Sequence, residues 1–235
     1  MPHRSIPRLA AIAAISLAAA TWTPGLAPAA SRDADRIWQI PDFASRGIAA
    51  IALLPPGTYD NSVDARATAQ SAFEQVLRSK GYRWVGWTFT HDAIVAKGGD
   101  SLFKAIQQAL LKQGRLDSLQ APLVSSAARA RAILSVRIDR YDKVEIGPME
   151  SGTPSMTVQL HAALVDSTGA LLWSASGSET ADGPYREPVQ GSHGLEGAGA
   201  LAPDQGLPTY RELLLRMLTR WGARFPAFVA APAAP

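Results

Sequence analysis

Seven consecutive apolar residues, Ile48-Ala-Ala-Ile-Ala-Leu-Leu54, closed by Pro55-Pro56-Gly57, most constrain what this chain can become. A strand with one wet face alternates apolar and polar side chains, whereas a strand covered on both faces has no polar positions to alternate with. The run therefore predicts a strand buried on both sides. A second segment, Met156 to Ser176, adds an antiparallel half. There Val158, Leu160, Ala162 and Leu164 alternate with Thr157, Gln159, His161 and Ala163, and Asp166-Ser-Thr-Gly169 turns the chain into Ala170-Leu-Leu-Trp173. Neither segment holds a nucleophile with its base, a metal-ligand set or a phosphate cradle, which favours binding or assembly over catalysis.

The remaining elements follow from periodicity and punctuation. Beyond a short polar lead, Asp60, Asn61 and Ser62 offer a cap, and Ala65, Ala69, Ala72, Phe73 and Val76 form one stripe of an amphipathic helix that stops at Lys80-Gly81. Tyr82 to Trp87 reads as a second strand. Gly98-Gly99-Asp100-Ser101 opens a second helix, with Phe103, Ile106 and Leu110 on one face and Gly114 at its left-handed end. A third short helix is expected around Ser125 to Arg131. Ile133 to Ile146 reads as a long strand with Leu134, Val136 and Ile138 inside and Ser135, Arg137 and Asp139 outside. Thr209 and Glu212 form a capping box for a last helix with the stripe Tyr210, Leu214, Met217, Leu218, Trp221 and Phe225.

These elements define an α/β chain: a single domain with a mixed, partly antiparallel sheet of about four to five strands, packed by amphipathic helices, plus a C-terminal helix. The expected division is a secretory signal at 1–29, a lead segment at 30–46, the α/β domain at 47–228 and a disordered tail at 229–235. Within the domain, the Gly/Pro-rich stretch 183–207 is expected to be a mobile loop.

The first residues bear on location. Arg4 and Arg8 form a basic start, Leu9 to Ala20 is an apolar run too short for a bilayer, and Ala27-Pro28-Ala29 supplies a small-x-small cleavage pattern. Loss of Arg4 and Arg8 with that signal would lower the formal charge from +3 to +1. No Lys/Arg run with interleaved aromatics is present, so nucleic acid is not an expected partner. The chain has no cysteine, so neither a lipid anchor nor a disulfide is expected. The expected location is the periplasm, in soluble form.

Candidate chemistry is sparse. His91, His161 and His193 sit in different segments without metal-ligand spacing. Ser174-Ala-Ser176-Gly177-Ser178 lacks the strand-to-helix turn of a nucleophile elbow, Ser192-His193 falls in the 183–207 loop, and Lys97-Gly98-Gly99-Asp100-Ser101 lacks the phosphate-loop order. Asp139, Asp142 and Glu145 alternate with Arg137, Arg140 and Lys143, which reads as local neutralisation. No catalytic, cofactor-binding or metal-ligating residue is assigned, and no cofactor is expected. Among the aromatics, Trp87 and Trp173 on expected strands, with Tyr185 and Arg186 at the foot of the loop, are the candidate partner-binding residues, because Trp, Tyr and Arg dominate protein interfaces.

Several of these segments resemble a known superfamily. The strand ending Leu54-Pro55-Pro56, the helix ending Leu77-Arg-Ser-Lys-Gly-Tyr82, the strand Ala132 to Tyr141 and the hairpin tip Val165 to Trp173 are similar to the superfamily of the curli-secretion lipoprotein CsgG, the penicillin-binding-protein activator LpoB and the amino-terminal domain of TolB. The resemblance spans residues 47–180. It implies a mixed sheet with helices against it, in a non-enzymatic envelope protein that recognises another protein or assembles. The missing lipidation cysteine and the lack of a membrane-spanning hairpin depart from parts of that group and leave a soluble adaptor or accessory role. The expected partner is a periplasmic or outer-membrane protein, with homo-oligomerisation through sheet edges also open. Two other classes remain: a periplasmic hydrolase using His91 or His193 with a nearby Asp or Ser, and a carrier of a small molecule or lipid.

Overall fold

The computed structural model describes residues 35–59, 62–147, 149–186 and 206–228. The expected signal, most of the 183–207 stretch including Ser192 and His193, and all of the 229–235 tail lie outside the described residues. The elements run β1 (Arg36–Gln39), a 3-10 turn (Phe43–Arg46), β2 (Ala50–Leu53), β3 (Gly57–Thr58), α1 (Val63–Ser79) and β4 (Arg83–Val85). Then follow α2 (Trp87–Gln113), α3 (Gln120–Ala128), β5 (Ala132–Val144), β6 (Ser155–Asp166), β7 (Leu171–Asp182) and α4 (Tyr210–Arg224).

All seven strands join one open mixed sheet in the order β1-β7-β6-β5-β2-β4, with β3 pairing β5 further along. β2 lies parallel to both β4 and β5, while β5, β6, β7 and β1 form an antiparallel meander. The central position of β2 explains its composition. Ile51 and Leu53 enter a core with Phe73 and Leu77 of α1 and Leu214 and Trp221 of α4. Ala52 and Leu54 enter a second core with Ile106 and Leu110 of α2 and Val124 of α3. The path from β2 through α1 to β4 and the return through α2 and α3 to β5 run in opposite directions along the sheet. Right-handed crossovers place two such connections on opposite faces.

Two of the seven strands were not expected from sequence. The lead segment contains β1, which pairs with β7 from Arg36↔Ser176 to Gln39↔Trp173, and the chain after Pro55-Pro56 makes the two-residue β3. The expected strand Tyr82 to Trp87 is shortened to β4. Gly86 precedes α2, and Trp87 is the first helical residue. Residues 88–90 favour a strand by propensity, but Trp87, Thr90 and Ile94 are all buried at helical spacing, and packing decides. The helix opening at Asp100 is present as the second half of α2. Gly98 and Gly99 break helical geometry, with Gly99 at φ 72°. The rings of His91 and Phe103 lie 4.5 Å apart, whereas a straight helix would separate them by about 18 Å, so the chain folds back at the glycine pair. The third helix begins at Gln120, earlier than its expected start, and ends at Arg129 in the left-handed region.

The other local readings hold in the structure. Ser62 Oγ accepts from the Ala65 N–H at 3.2 Å at the start of α1. At α4 the Glu212 N–H donates to Thr209 Oγ1 at 3.3 Å and the Thr209 N–H to Glu212 Oε2 at 2.7 Å, closing the capping box. Leu214, Met217, Leu218, Trp221 and Phe225 of the expected stripe are buried. The hairpin turn is held by Asp166, whose Oδ1 accepts from the Thr168 and Ala170 N–H groups at 2.8 and 3.1 Å. β5 departs from simple alternation: Ile133 and Ser135 are as buried as Leu134, because α2 and α3 cover the first half of its outer face.

One charged cluster ties the two ends of the domain to the sheet. Arg220 on α4 donates from Nε to Asp35 Oδ2 at 2.7 Å, and its Nη1 stands 2.7 Å from Glu179 Oε2 on β7. Glu179 is 1% exposed. Burial pushes the Asp35 carboxyl up, but the hydrogen bonds from Arg220 and Trp221 and the Arg220 and Arg224 charges together outweigh it, leaving the group below the usual carboxylate range. Replacing Arg220 by Ala strands a buried carboxylate and is expected to cost about 3 kcal/mol, read as a lower urea midpoint, with Arg220→Lys losing less. Gly169 at the hairpin tip has φ 87°, and a Cβ there would stand 2.6 Å from the Asp117 carbonyl carbon. Gly169→Ala is expected to cost about 2 kcal/mol in the same measurement, through backbone conformation and the clash with the α2–α3 connection.

Candidate protein-binding surface

The four residues singled out as partner contacts separate into two environments. Trp173 is 1% exposed and packs edge-on against Phe225 with ring centroids 4.8 Å apart. Trp87 is 4% exposed in the same core. Neither ring is presented to a partner, which corrects the sequence reading: Trp173 stands opposite Leu164 on the helix-covered face, and Trp87 turns under the sheet at the start of α2. Tyr185, by contrast, is 64% exposed, and Arg186 is fixed by its backbone. The Arg186 N–H donates to the Gly152 carbonyl at 2.8 Å, and the Gly152 N–H returns a bond to Arg186 at 3.0 Å.

That small bridge fastens the exit of β7 to the β5–β6 connection. The Gly183 N–H adds a bond to the Pro154 carbonyl at 2.8 Å, and Val144, Ser155 and Asp182 lie side by side across the three strands. At this end of the sheet Met149 and Tyr185 are largely exposed, and Val144 is half-exposed. Exposed apolar side chains on a hydrogen-bonded framework present a contact surface that needs little ordering on binding. Sequence reasoning singled out Tyr185 and Arg186 and did not single out the exposed Val144 and Met149. The available signal was an apolar residue with no period to serve, inside a Gly/Pro/Ser loop.

The charged residues along β5 and its continuation are internally matched. Arg137 Nε donates to Asp139 at 2.5 Å, Arg140 Nε to Asp142 at 2.7 Å, and Lys143 pairs with Glu145. The local-neutralisation reading of this row is what the structure contains. Arg137 Nη1 also donates to the Leu111 carbonyl at 3.1 Å, which accepts a second bond from Tyr59 Oη at 2.8 Å. A cation and a hydroxyl thus satisfy the C-terminal end of α2.

His161 lies half-buried beneath this end, close enough that a Cβ on Gly114 would meet its ring at 2.8 Å. Burial first, and the neighbouring Arg137 second, hold its imidazole below the usual histidine range. His91 Nδ1 is 2.9 Å from Asp92 Oδ1 on the solvent side of the first half of α2. Among the described residues, no three His, Cys, Asp or Glu side chains gather as a metal site, and no helix is long and apolar enough to cross a membrane.

No family model matches the chain, and no curated protein matches it. Solved structures do show likenesses to this open mixed-sheet α/β domain. Lipoprotein GNA1162 of Neisseria meningitidis is 19% identical, with 57% of this chain and 83% of that one covered and a TM-score of 0.44. The PelC dodecamer of Paraburkholderia phytofirmans is 21% identical, covering 63% and 81% respectively, with a TM-score of 0.38. Escherichia coli LpoB is 14% identical, covering 76% and 86%, with a TM-score of 0.36. These likenesses are distant in both sequence and superposition.

The lowered His161 pKa has a definite sign. Between the usual histidine value near 6.5 and the lower folded value, the unfolded chain takes up a proton that the folded chain refuses. Stability therefore falls as pH falls through that window. The urea midpoint is expected to drop between about pH 7.5 and about pH 5.5, and His161→Gln is expected to shrink that drop.

Proposed function

We propose that this chain is a non-enzymatic accessory or adaptor protein of the bacterial cell envelope, working in the periplasm by binding another envelope protein. The observation that carries the reading is the end of the sheet where Tyr185 and Met149 stand 64% and 75% exposed on a hydrogen-bonded strand exit. Aromatic and Met side chains held in place at low entropic cost are what protein interfaces use as anchors. The apolar segment at 9–20 followed by Ala27-Pro28-Ala29 supports an exported chain. The resemblance of the Leu54-Pro55-Pro56 strand and the Asp166-Ser-Thr-Gly169 hairpin to envelope-assembly proteins points the same way. A self-assembling form is the second reading, favoured by β1, which ends the strand order with Trp38 46% exposed.

Crosslinking in intact cells, followed by mass spectrometry of what is captured, tests the proposal. The combined Tyr185→Ala and Met149→Ser replacement is expected to reduce capture of the envelope partner at least about tenfold while circular dichroism stays unchanged. Capture that survives both replacements removes this surface. Capture of further copies of this chain alone selects the assembly reading. Hydrolysis of ester or peptidoglycan substrates that disappears in His91→Ala would replace both with an enzyme.

A further inference from the structure

We infer that the end of the sheet where β2, β4 and β5 begin is a basic surface that lies against anionic phospholipid. Strand register assembles it. Ala50, the first residue of β2, pairs with Arg83 of β4, and Ile51 pairs with Ala132 of β5, so Arg83 and Arg131 flank the start of β2 about 10 Å apart. α1 ends just before Arg83 with Arg78 and Lys80, and α3 ends just before Arg131 with Arg129. The four arginines are exposed and Lys80 is half-buried. Among the described residues none of the five forms an ion pair, and Arg78 is steadied instead by lying 5.7 Å over the Trp84 ring.

Acidic side chains near this end are already matched. Asp42 pairs with Arg46 at 3.0 Å, Asp117 accepts from the Leu119 N–H at 2.7 Å, and Asp166 holds the hairpin turn. Asp100 on α2 is offset in charge by Lys97, whose Nζ donates to Ser126 of α3 at 2.7 Å. No Asp or Glu occurs in residues 43–59, 75–91 or 118–138, the stretches that build the basic end. Arg129 is a second, independent sign. At φ 52° it is the only non-glycine residue at positive φ among the described residues, and it occupies a helix end where glycine is the ordinary choice. Phe228 stands at the same place: its N–H donates to the Lys80 carbonyl at 3.0 Å, its ring centroid lies 5.9 Å from that of Tyr82, and it is 36% exposed.

An aromatic ring beside unpaired cations suits a membrane interface, where the ring enters the headgroup layer and the cations meet anionic lipid. A protein partner would have to place carboxylates at matching points along three separate segments. A lipid surface supplies mobile charge wherever a cation lands, and no counter-ion holds these five in position for one fixed ligand. β5 starts at this end with Ala132 and reaches Val144 beside the Tyr185 surface about 40 Å away, so a chain resting on lipid here presents that surface away from the membrane.

The two surfaces share no residue, and either can fail without the other. The test is co-sedimentation of the exported, processed chain with vesicles of phosphatidylcholine containing phosphatidylglycerol, and with vesicles of phosphatidylcholine alone. Binding is expected only to the anionic vesicles, and it is expected to fall steeply between about 50 mM and about 500 mM salt. Arg83→Gln combined with Arg131→Gln is expected to weaken it at least about tenfold at an unchanged thermal midpoint, each cation carrying about fivefold, whereas Tyr185→Ala with Met149→Ser leaves it unchanged. Because the chain has no cysteine, a fluorophore on Ser79→Cys reports the basic end and one on Thr153→Cys the opposite end. Spin-labelled lipid is expected to quench the first and not the second. Equal binding to neutral vesicles, indifference to the double arginine replacement, quenching at Thr153→Cys only, tighter binding of soluble polyglutamate than of vesicles, or no binding at low salt would each overturn the inference.

Discussion

Burial of β2 on both faces is the constraint from which the rest of the fold follows. Four successive side chains, Ile51 to Leu54, are fully enclosed and alternate between two separate cores. Enclosure requires a cover on each side, and each cover is a helix pair: α1 with α4, α2 with α3. The parallel neighbours β4 and β5 supply the ladder on both edges of β2, so its backbone groups are satisfied as fully as its side chains are buried. A polar substituent on any of these four residues would face a dry, paired environment with no route to water.

Away from β2 the two faces diverge. The α1 and α4 side is apolar along most of the antiparallel meander, through Val136, Leu160, Ala162, Trp173 and Ala175. The α2 and α3 side is apolar only near β2 and gives way to Ser174, Ser176, Gln159 and the Arg137–Asp139 pair. His161 marks the boundary between the covered and open parts of that face, tucked under the last turn of α2 yet beside charged neighbours.

Elements whose signal is local were legible in the sequence. The capping box at Thr209 and Glu212, the Ser62 cap, the left-handed Gly114 and the Asp166 turn need only neighbouring residues to work, and each is found. Elements that depend on a distant partner were not. Arg36-Ile-Trp-Gln39 is a strand only because β7 offers it an edge, and Trp87 is helical only because the core takes its indole. The candidate surface divides the same way. An aromatic on a strand does not reveal which face its residue occupies, so the sequence left Trp173 open between core and surface; the structure buries it and leaves Tyr185, at the exit of β7, exposed.

The cluster of Asp35, Glu179 and Arg220 also determines how the domain carries load. Asp35 is the first described residue, and it grips α4 directly while the next four residues zip along β7. Tension applied through the chain upstream of Asp35 therefore passes into a guanidinium clamp and an antiparallel ladder before it reaches either core. Because the clamp joins the entry of the domain to its last helix, the two ends resist such tension as one joint, and a strand of only four residues is anchored more firmly than its length alone would provide.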